Sequence, residues 1–209
     1  MKFLIIGATR GIGFELLRQA VAAGHIITVL ARDPAKLPFQ DPNVRVLSGD
    51  ILDPRAVRAA AERQEGVCTC IGIPPTQKPV SVFSQGMTHV LAAMQHHGIR
   101  RLIAVTGIGA GDSQGHGGFL YDRIVNPLLL KTIYEDKDRE ERIVMDSDMD
   151  WIIVRPGFLT NGPLTTEYRA ITDLNGVTAG KISRADVAHF LLAQVAEPTY
   201  IGQTPLLTY

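Results

Sequence analysis

The sequence predicts one doubly wound α/β domain built on a mostly parallel sheet, and three observations carry that prediction. Short apolar runs alternate with helix-length segments along the whole chain; the runs are apolar throughout; and no linker or internal repeat divides them. Strands covered on both faces lose the polar–apolar alternation of half-exposed strands. Helices lying between such strands imply right-handed crossovers joining parallel neighbours. A chain of 209 residues is long enough for one well-buried core, so residues 1–209 read as a single domain.

The elements follow in order. Residues 3–6 read as a strand, 11–23 as a helix closed by Gly24, 26–31 as a second strand and 44–47 as a third. Asp53-Pro54 places a capping acid and a helix-starting proline ahead of a helix over 56–63. A fourth strand at 67–71 precedes a long helix over 82–97, ended by Gly98, and a fifth strand at 102–106. A long helical region covers 121–147, and 151–155 is a sixth strand. Ser183-Arg184-Ala185-Asp186 reads as a capping box that opens a helix running to Val195, and 205–208 as one last short strand.

Composition excludes several classes. Lys plus Arg equals Asp plus Glu at 21 each, so no net field gathers nucleic acid or an anionic membrane surface. The apolar run after Met1 breaks at Gly7, too short for a secretion signal, and no stretch is long enough to span a bilayer. The expected location is cytoplasmic. Cys68 and Cys70 are too close to bridge without strain and have no further Cys with which to frame zinc, so they read as reduced core thiols. His96 and His97 diverge on a helix and sit near its C-terminus, where the dipole favours them; no metal site is expected.

The segment Gly7-Ala8-Thr9-Arg10-Gly11-Ile12-Gly13 follows a buried strand and opens a helix. Gly7 permits the tight turn, Gly11 the approach of a phosphate, and Gly13 close packing of helix on strand. The free N–H groups of the helix start then face a pyrophosphate. The spacing G-x-x-x-G-x-G differs from the G-x-G-x-x-G fingerprint, but its place at the first strand and first helix points to dinucleotide binding. Together with Ala31-Arg32-Asp33-Pro34, Gly49-Asp50-Ile51, Arg155-Pro156-Gly157 and residues 182–188 (ISRADVA), this turn resembles the Rossmann-fold atypical short-chain dehydrogenase/reductases. Within them it is similar to the NAD(P)H-binding biliverdin-IXβ reductase/flavin reductase group, over essentially the whole chain.

An acid after the second strand suits the ribose of NAD, whereas an arginine there suits the 2′-phosphate of NADP. Arg32 ends that strand, Arg10 reaches from the glycine turn, and Asp33 before Pro34 is free to cap the next short helix. NADP(H) is therefore expected over NAD(H). The cofactor contacts in the turn are Gly7, Thr9, Arg10, Gly11 and Ile12. The resemblance further assigns Asp50 and Ile51 to the adenine, and Cys70, Ile71 and Gly72 to the ribose, by backbone and shape. Pro156, Gly157 and Phe158 are expected to turn beside the nicotinamide amide.

Better-known members of that superfamily carry a Ser or Thr after the fifth strand and Tyr-x-x-x-Lys on the next helix. Thr106 occupies the hydroxyl position and Lys137 the lysine position, both counted as catalytic and cofactor-binding. The residue four before Lys137 is Ile133; Tyr134 makes an i,i+3 pair instead and is the remaining catalytic candidate. The loss of the tyrosine from its usual register agrees with the flavin reductase-like relatives. The loop at about 107–120, with six glycines in residues 107–118, predicts mobility and closure over an acceptor. A second loop at about 158–181 is expected to shape the acceptor pocket. His116 reads as solvent-exposed, and Tyr121 either stacks on the acceptor or packs in the core.

The resemblance implies a small-molecule partner and an NADPH-dependent oxidoreductase passing hydride to a planar conjugated acceptor: a flavin, quinone or tetrapyrrole. The alternative is a non-catalytic NAD(P)-sensing regulatory protein with the same glycine turn. An epimerase is disfavoured because such chains carry a larger carboxyl-terminal substrate region. The patterning of the helices at 82–97 and 121–147 selects no oligomeric state.

Overall fold

The computed structural model describes all 209 residues. Ten strands and five α-helices follow one another: β1 (Lys2–Ile6), α1 (Gly11–Ala22), β2 (Ile26–Ala31), β3 (Val44–Ser48), α2 (Pro54–Ala61), β4 (Gly66–Thr69), α3 (Val82–His97), β5 (Arg101–Val105), α4 (Lys131–Met145), β6 (Asp150–Pro156), β7 (Phe158–Thr160), β8 (Arg169–Ile171), β9 (Lys181–Ser183), α5 (Arg184–Ala196) and β10 (Leu206–Thr208). Eight strands form one sheet in the order β3-β2-β1-β4-β5-β6-β10-β8, parallel except for β8 against β10. A separate parallel pair joins β7 and β9. The order reverses between β1 and β4, which opens the crevice at their carboxyl ends where ligands of such sheets bind. The architecture is that of a single Rossmann-type domain.

Alternate residues of each central strand supply two cores. Phe3, Ile5, Ile27, Val29, Ile103, Ile152 and Val154 pack with Leu16, Leu17 and Leu191 of α1 and α5 on one face. Leu4, Ile6, Leu30, Leu102 and Ile153 pack with Val57, Met87, Val90, Met94 and Val144 of α2, α3 and α4 on the other. Each such side chain contributes about 1.5–3 kcal/mol through burial, so the apolar runs hold the sheet between two helical layers.

The helix ends obey local chemistry. Asp53 accepts from the Arg55 N–H at 2.9 Å with Pro54 just inside α2, and Gly98 closes α3 in the left-handed region at φ 69°. The predicted capping box of α5 is half formed. Ser183 Oγ accepts from the Asp186 N–H at 2.9 Å, but the Ser183 N–H donates to the Tyr209 hydroxyl at 3.0 Å. An aspartate is too short to reach back as a glutamate does, and the Asp186 carboxylate instead collects the Tyr209 hydroxyl (2.6 Å), the Thr165 N–H (2.9 Å) and the Thr166 N–H (2.8 Å). Burial pushes that carboxyl up; the donors from Tyr209, Thr166, Thr165 and Ser183 more than reverse this and hold it down at about 2.

Further expectations are corrected. Residues 121–147 are not one regular helix: Tyr121–Leu130 is a π-helical segment containing Pro127, and the α-helix starts at Lys131. Proline brings no N–H and crowds the preceding turn, which disfavours regular α-helical pairing there. The glycine-rich loop is anchored rather than free. Gly109 N–H donates to Ser113 Oγ at 3.0 Å, Gly111 N–H to Asp138 at 2.7 Å, and His116 Nδ1 lies 2.8 Å from the Val177 carbonyl. His116 is accordingly half-buried and structural in contact. The glycines serve geometry: Gly107, Gly109, Gly111, Gly115 and Gly118 all have positive φ.

Candidate dinucleotide site

The glycine turn lies at the crevice between β1 and β4. Gly7 has φ 97°, and a Cβ there would come within 2.5 Å of the Cys70 carbonyl oxygen. A Cβ on Gly13 would collide with the Gly7 carbonyl, so α1 rests directly on the turn. Gly11 has φ 64°, and Arg10, the N-cap residue, contributes no side-chain capping bond. The first-turn N–H groups of α1 therefore have no capping side chain, and the absent Cβ atoms leave backbone open to a phosphate. These residues fit a dinucleotide pyrophosphate.

Around this turn the predicted residues divide. Arg10 reaches across the crevice to the Gly72 carbonyl at 3.4 Å. Asp33 caps the short helix after β2, accepting from the Ala35 N–H at 3.2 Å, and pairs with Lys36 at 3.4 Å. Arg32 is exposed and forms no ion pair. Asp50 folds into a turn, accepting from the Leu52 N–H at 3.0 Å. Ile51 turns its side chain into the core against Gly86, and its carbonyl lies 2.9 Å from His89 Nδ1, so only its backbone is available to an adenine. Cys70 continues the β4 ladder, its N–H on the Ile6 carbonyl at 2.8 Å. Both cysteines are free thiols; burial raises Cys68 above its ordinary range and pushes Cys70 up to about 12. Gly157 packs against the Gly180 carbonyl, and Phe158 meets the Tyr121 ring edge-on at 5.2 Å between centroids.

At the carboxyl end of β5 the structure brings Thr106, Tyr134 and Lys137 into one region and ties up each polar group. Lys137 is buried, with Nζ 3.4 Å from the Val105 carbonyl and 4.4 Å above the Phe83 ring. Burial lowers its pKa, and Glu140, Glu141 and Asp136 oppose that shift. The Thr106 hydroxyl donates to Glu141 at 2.7 Å. The Tyr121 hydroxyl donates to the Ile108 carbonyl at 3.0 Å and shares a 2.9 Å bond with the Tyr134 hydroxyl. Burial and that neighbouring phenol raise the Tyr134 pKa, which keeps its proton in place at neutral pH. Ile133, in the usual tyrosine register, is in the core at 6% exposure.

Sequence reasoning missed the electrostatic centre of this half. Arg155 is 1% exposed; its Nε and an Nη donate to Glu141 at 3.0 and 2.6 Å, and its other Nη pairs with Asp112. Burial works against this cation, while Glu141 and Asp112 raise its pKa above the usual arginine value. Glu140 is also buried, with Oε2 unpartnered, and burial raises it to about 7. Ile133, Asp136, Lys137, Glu140, Glu141 and Val144 form one buried stripe on α4, spaced three and four apart. Ile133 and Val144 at its ends were the available signal that the charges between them face inward.

Residues 7–198 match the family of NAD(P)H-binding proteins, and the chain belongs to it. A 3-diazoavenalumate denitrifying reductase from Streptomyces is 31% identical over 198 residues; the match takes in 87% of this chain and 64% of that protein. The chain thus spans under two thirds of that relative. An uncharacterized sugar epimerase from Bacillus subtilis is 27% identical over 94% of this chain and 89% of its own length. Among solved structures, an anaerobilin reductase from Escherichia coli O157:H7 superposes with a TM-score of 0.83 at 24% identity, covering 100% of this chain and 97% of that one. A short-chain dehydrogenase/reductase from Veillonella parvula in complex with NADP gives 0.84 at 19% identity, covering 100% and 94%. At those identities the likeness is one of fold. No group of three or more His, Cys, Asp or Glu is placed to hold a metal ion, and no helix is long and apolar enough to cross a membrane.

Proposed function

We propose that the chain is an NADPH-dependent reductase that delivers hydride to a small, planar, conjugated acceptor such as a flavin, quinone or tetrapyrrole. The observation that carries the cofactor preference is the division of labour after β2. Asp33 is spent on its cap and on Lys36, so the acid that would favour an unphosphorylated ribose is occupied. Arg32 stays unpaired and exposed, and Arg10 holds only a carbonyl. Two guanidiniums suit a dianionic phosphate by bidentate pairing.

The acceptor class follows from which protons are available. When bound, the reduced nicotinamide supplies the hydride. Lys137 places a buried amine beneath the end of β5, where the ribose hydroxyls of a dinucleotide would meet it. Tyr134 and Thr106 already donate within the protein, which disfavours a tyrosine acid for an ordinary carbonyl. A conjugated acceptor needs no such acid, because its reduced anion is stabilised and takes its proton from water. The Tyr121–Phe158 edge-to-face pair offers an aromatic wall for a flat molecule. Two relatives named as reductases, the Streptomyces protein and an NAD(P)H azoreductase from Xenophilus azovorans, support reduction as the reaction type.

The test is NADPH oxidation followed with free flavin, a quinone and a linear tetrapyrrole, beside dissociation constants for NADPH and NADH. Tighter binding of NADPH and turnover with one acceptor are expected. Equal affinities would remove the preference. Tight binding with no turnover across the panel would leave the sensing protein as the better reading.

A further inference from the structure

We propose that Arg184, far along the chain from the glycine turn, holds the cofactor's pyrophosphate from the α5 side. Arg184 is the first residue of α5, whose start is fixed by the Asp186 hydrogen bonds to Thr165, Thr166 and Tyr209. Its guanidinium lies over Gly11: a Cβ built on that glycine would be 3.8 Å from Arg184 Nε. Gly11, Phe14, Asn161, Gly162 and Arg184 line a cavity of about 190 Å³ between the starts of α1 and α5.

The cation in that cavity is unspent. Arg184 forms no ion pair; its only side-chain bond is from Nη1 to Asn161 Oδ1 at 2.8 Å. Glu15, also on the cavity, pairs with Arg18 at 3.3 Å. An arginine carries its N–H donors in a planar fork, so one bond to Asn161 fixes the plane and leaves the others for a second acceptor. Gly11, the first residue of the uncapped α1, lines the same cavity. A fixed guanidinium opposite free backbone donors is a clamp for a bridging diphosphate. Arg32, by contrast, stands at the end of β2, where only the 2′-phosphate distinguishes the cofactors.

The inference rests on the glycine turn holding a dinucleotide, and it is read on NAD⁺ and NADP⁺ alike, so failure of the NADPH preference leaves it standing. The experiment measures dissociation constants of NADP⁺, NAD⁺ and 2′-AMP for the parent, Arg184→Ala, Arg184→Lys and Asn161→Ala. Losing a charge-assisted bond should weaken NADP⁺ and NAD⁺ by the same factor, about tenfold, in Arg184→Ala. Binding of 2′-AMP, which has no pyrophosphate, should not change and reports an intact fold. Arg184→Lys should recover part of the loss, and Asn161→Ala should weaken both dinucleotides less. Unchanged dinucleotide affinity, a loss confined to NADP⁺, or a parallel loss of 2′-AMP would each overturn the proposal.

Discussion

The two sides of the sheet keep their charges in opposite ways. On the β1–β3 side the cations Arg10 and Arg32 stand in water, with at most a carbonyl for a partner. On the β5–β6 side Arg155 and Glu141 are withdrawn from water and paired with each other. A charge left in solvent contributes little to folding and remains free for a ligand. A charge taken into the core must be matched, because an unmatched one is expensive. The first side is therefore free for a ligand without being needed for stability, while the second is tied into the core and cannot be altered singly without penalty.

The comparison can be broken or sharpened by substitution. The largest effect is expected for Arg155→Ala, which strands the buried Glu141 and releases the exposed Asp112. Urea unfolding should show a loss of about 3–5 kcal/mol, and the pair Arg155→Met with Glu141→Leu should recover at least half of it. A loss below about 1 kcal/mol would mean that the buried pair behaves like a surface one. Next comes Asp186→Asn, which replaces an acceptor of several bonds by an amide and should lose about 2–3 kcal/mol. Its pH dependence has a definite sign. The folded carboxyl, at about 2, lies below its ordinary 3.8, so its stabilisation is present above about 4 and is lost as pH falls from 3.8 toward 2. Acid unfolding curves of parent and variant should converge across that window. Thr106→Val removes one donor from Glu141 and should lose about 1 kcal/mol. The smallest stability change belongs to Arg32→Ala, within about 0.5 kcal/mol, although its NADPH affinity should fall about tenfold. A large drop in melting temperature for Arg32→Ala would erase the distinction between the two sides.

The same distinction explains what could be read from the chain. Local rules suffice for Gly7, Gly11 and Gly13, for the Asp53-Pro54 start of α2, and for the strands that feed both cores, because their causes lie within a few residues. The cap on Asp33 was legible for the same reason. The inward charges of α4 were not: YEDKDREER has the composition of a solvated face, and only distant partners reverse it, Phe83 and Ser84 of α3 for Asp136 and Thr106 and Arg155 for Glu141. Strands β7, β8 and β9 have three residues each, too few to show a period. The six glycines of the loop after β5 suggested freedom, whereas their positive φ angles let Ser113, Asp138 and Arg155 fasten it.

The two free thiols, one buried and one half-buried, have a practical consequence for anyone working with this protein in solution. Maleimides and iodoacetamide react with thiolate, and burial pushes the Cys70 thiol up to about 12, which keeps it protonated at pH 8. Cys68 is shielded still more completely inside β4. The native chain should therefore give almost no background in alkylation. A single reporter introduced by Phe119→Cys, at a position 80% exposed beside the π-helical turn, would take a fluorophore cleanly. Its emission would then report changes of environment next to Tyr121 without removal of either natural cysteine.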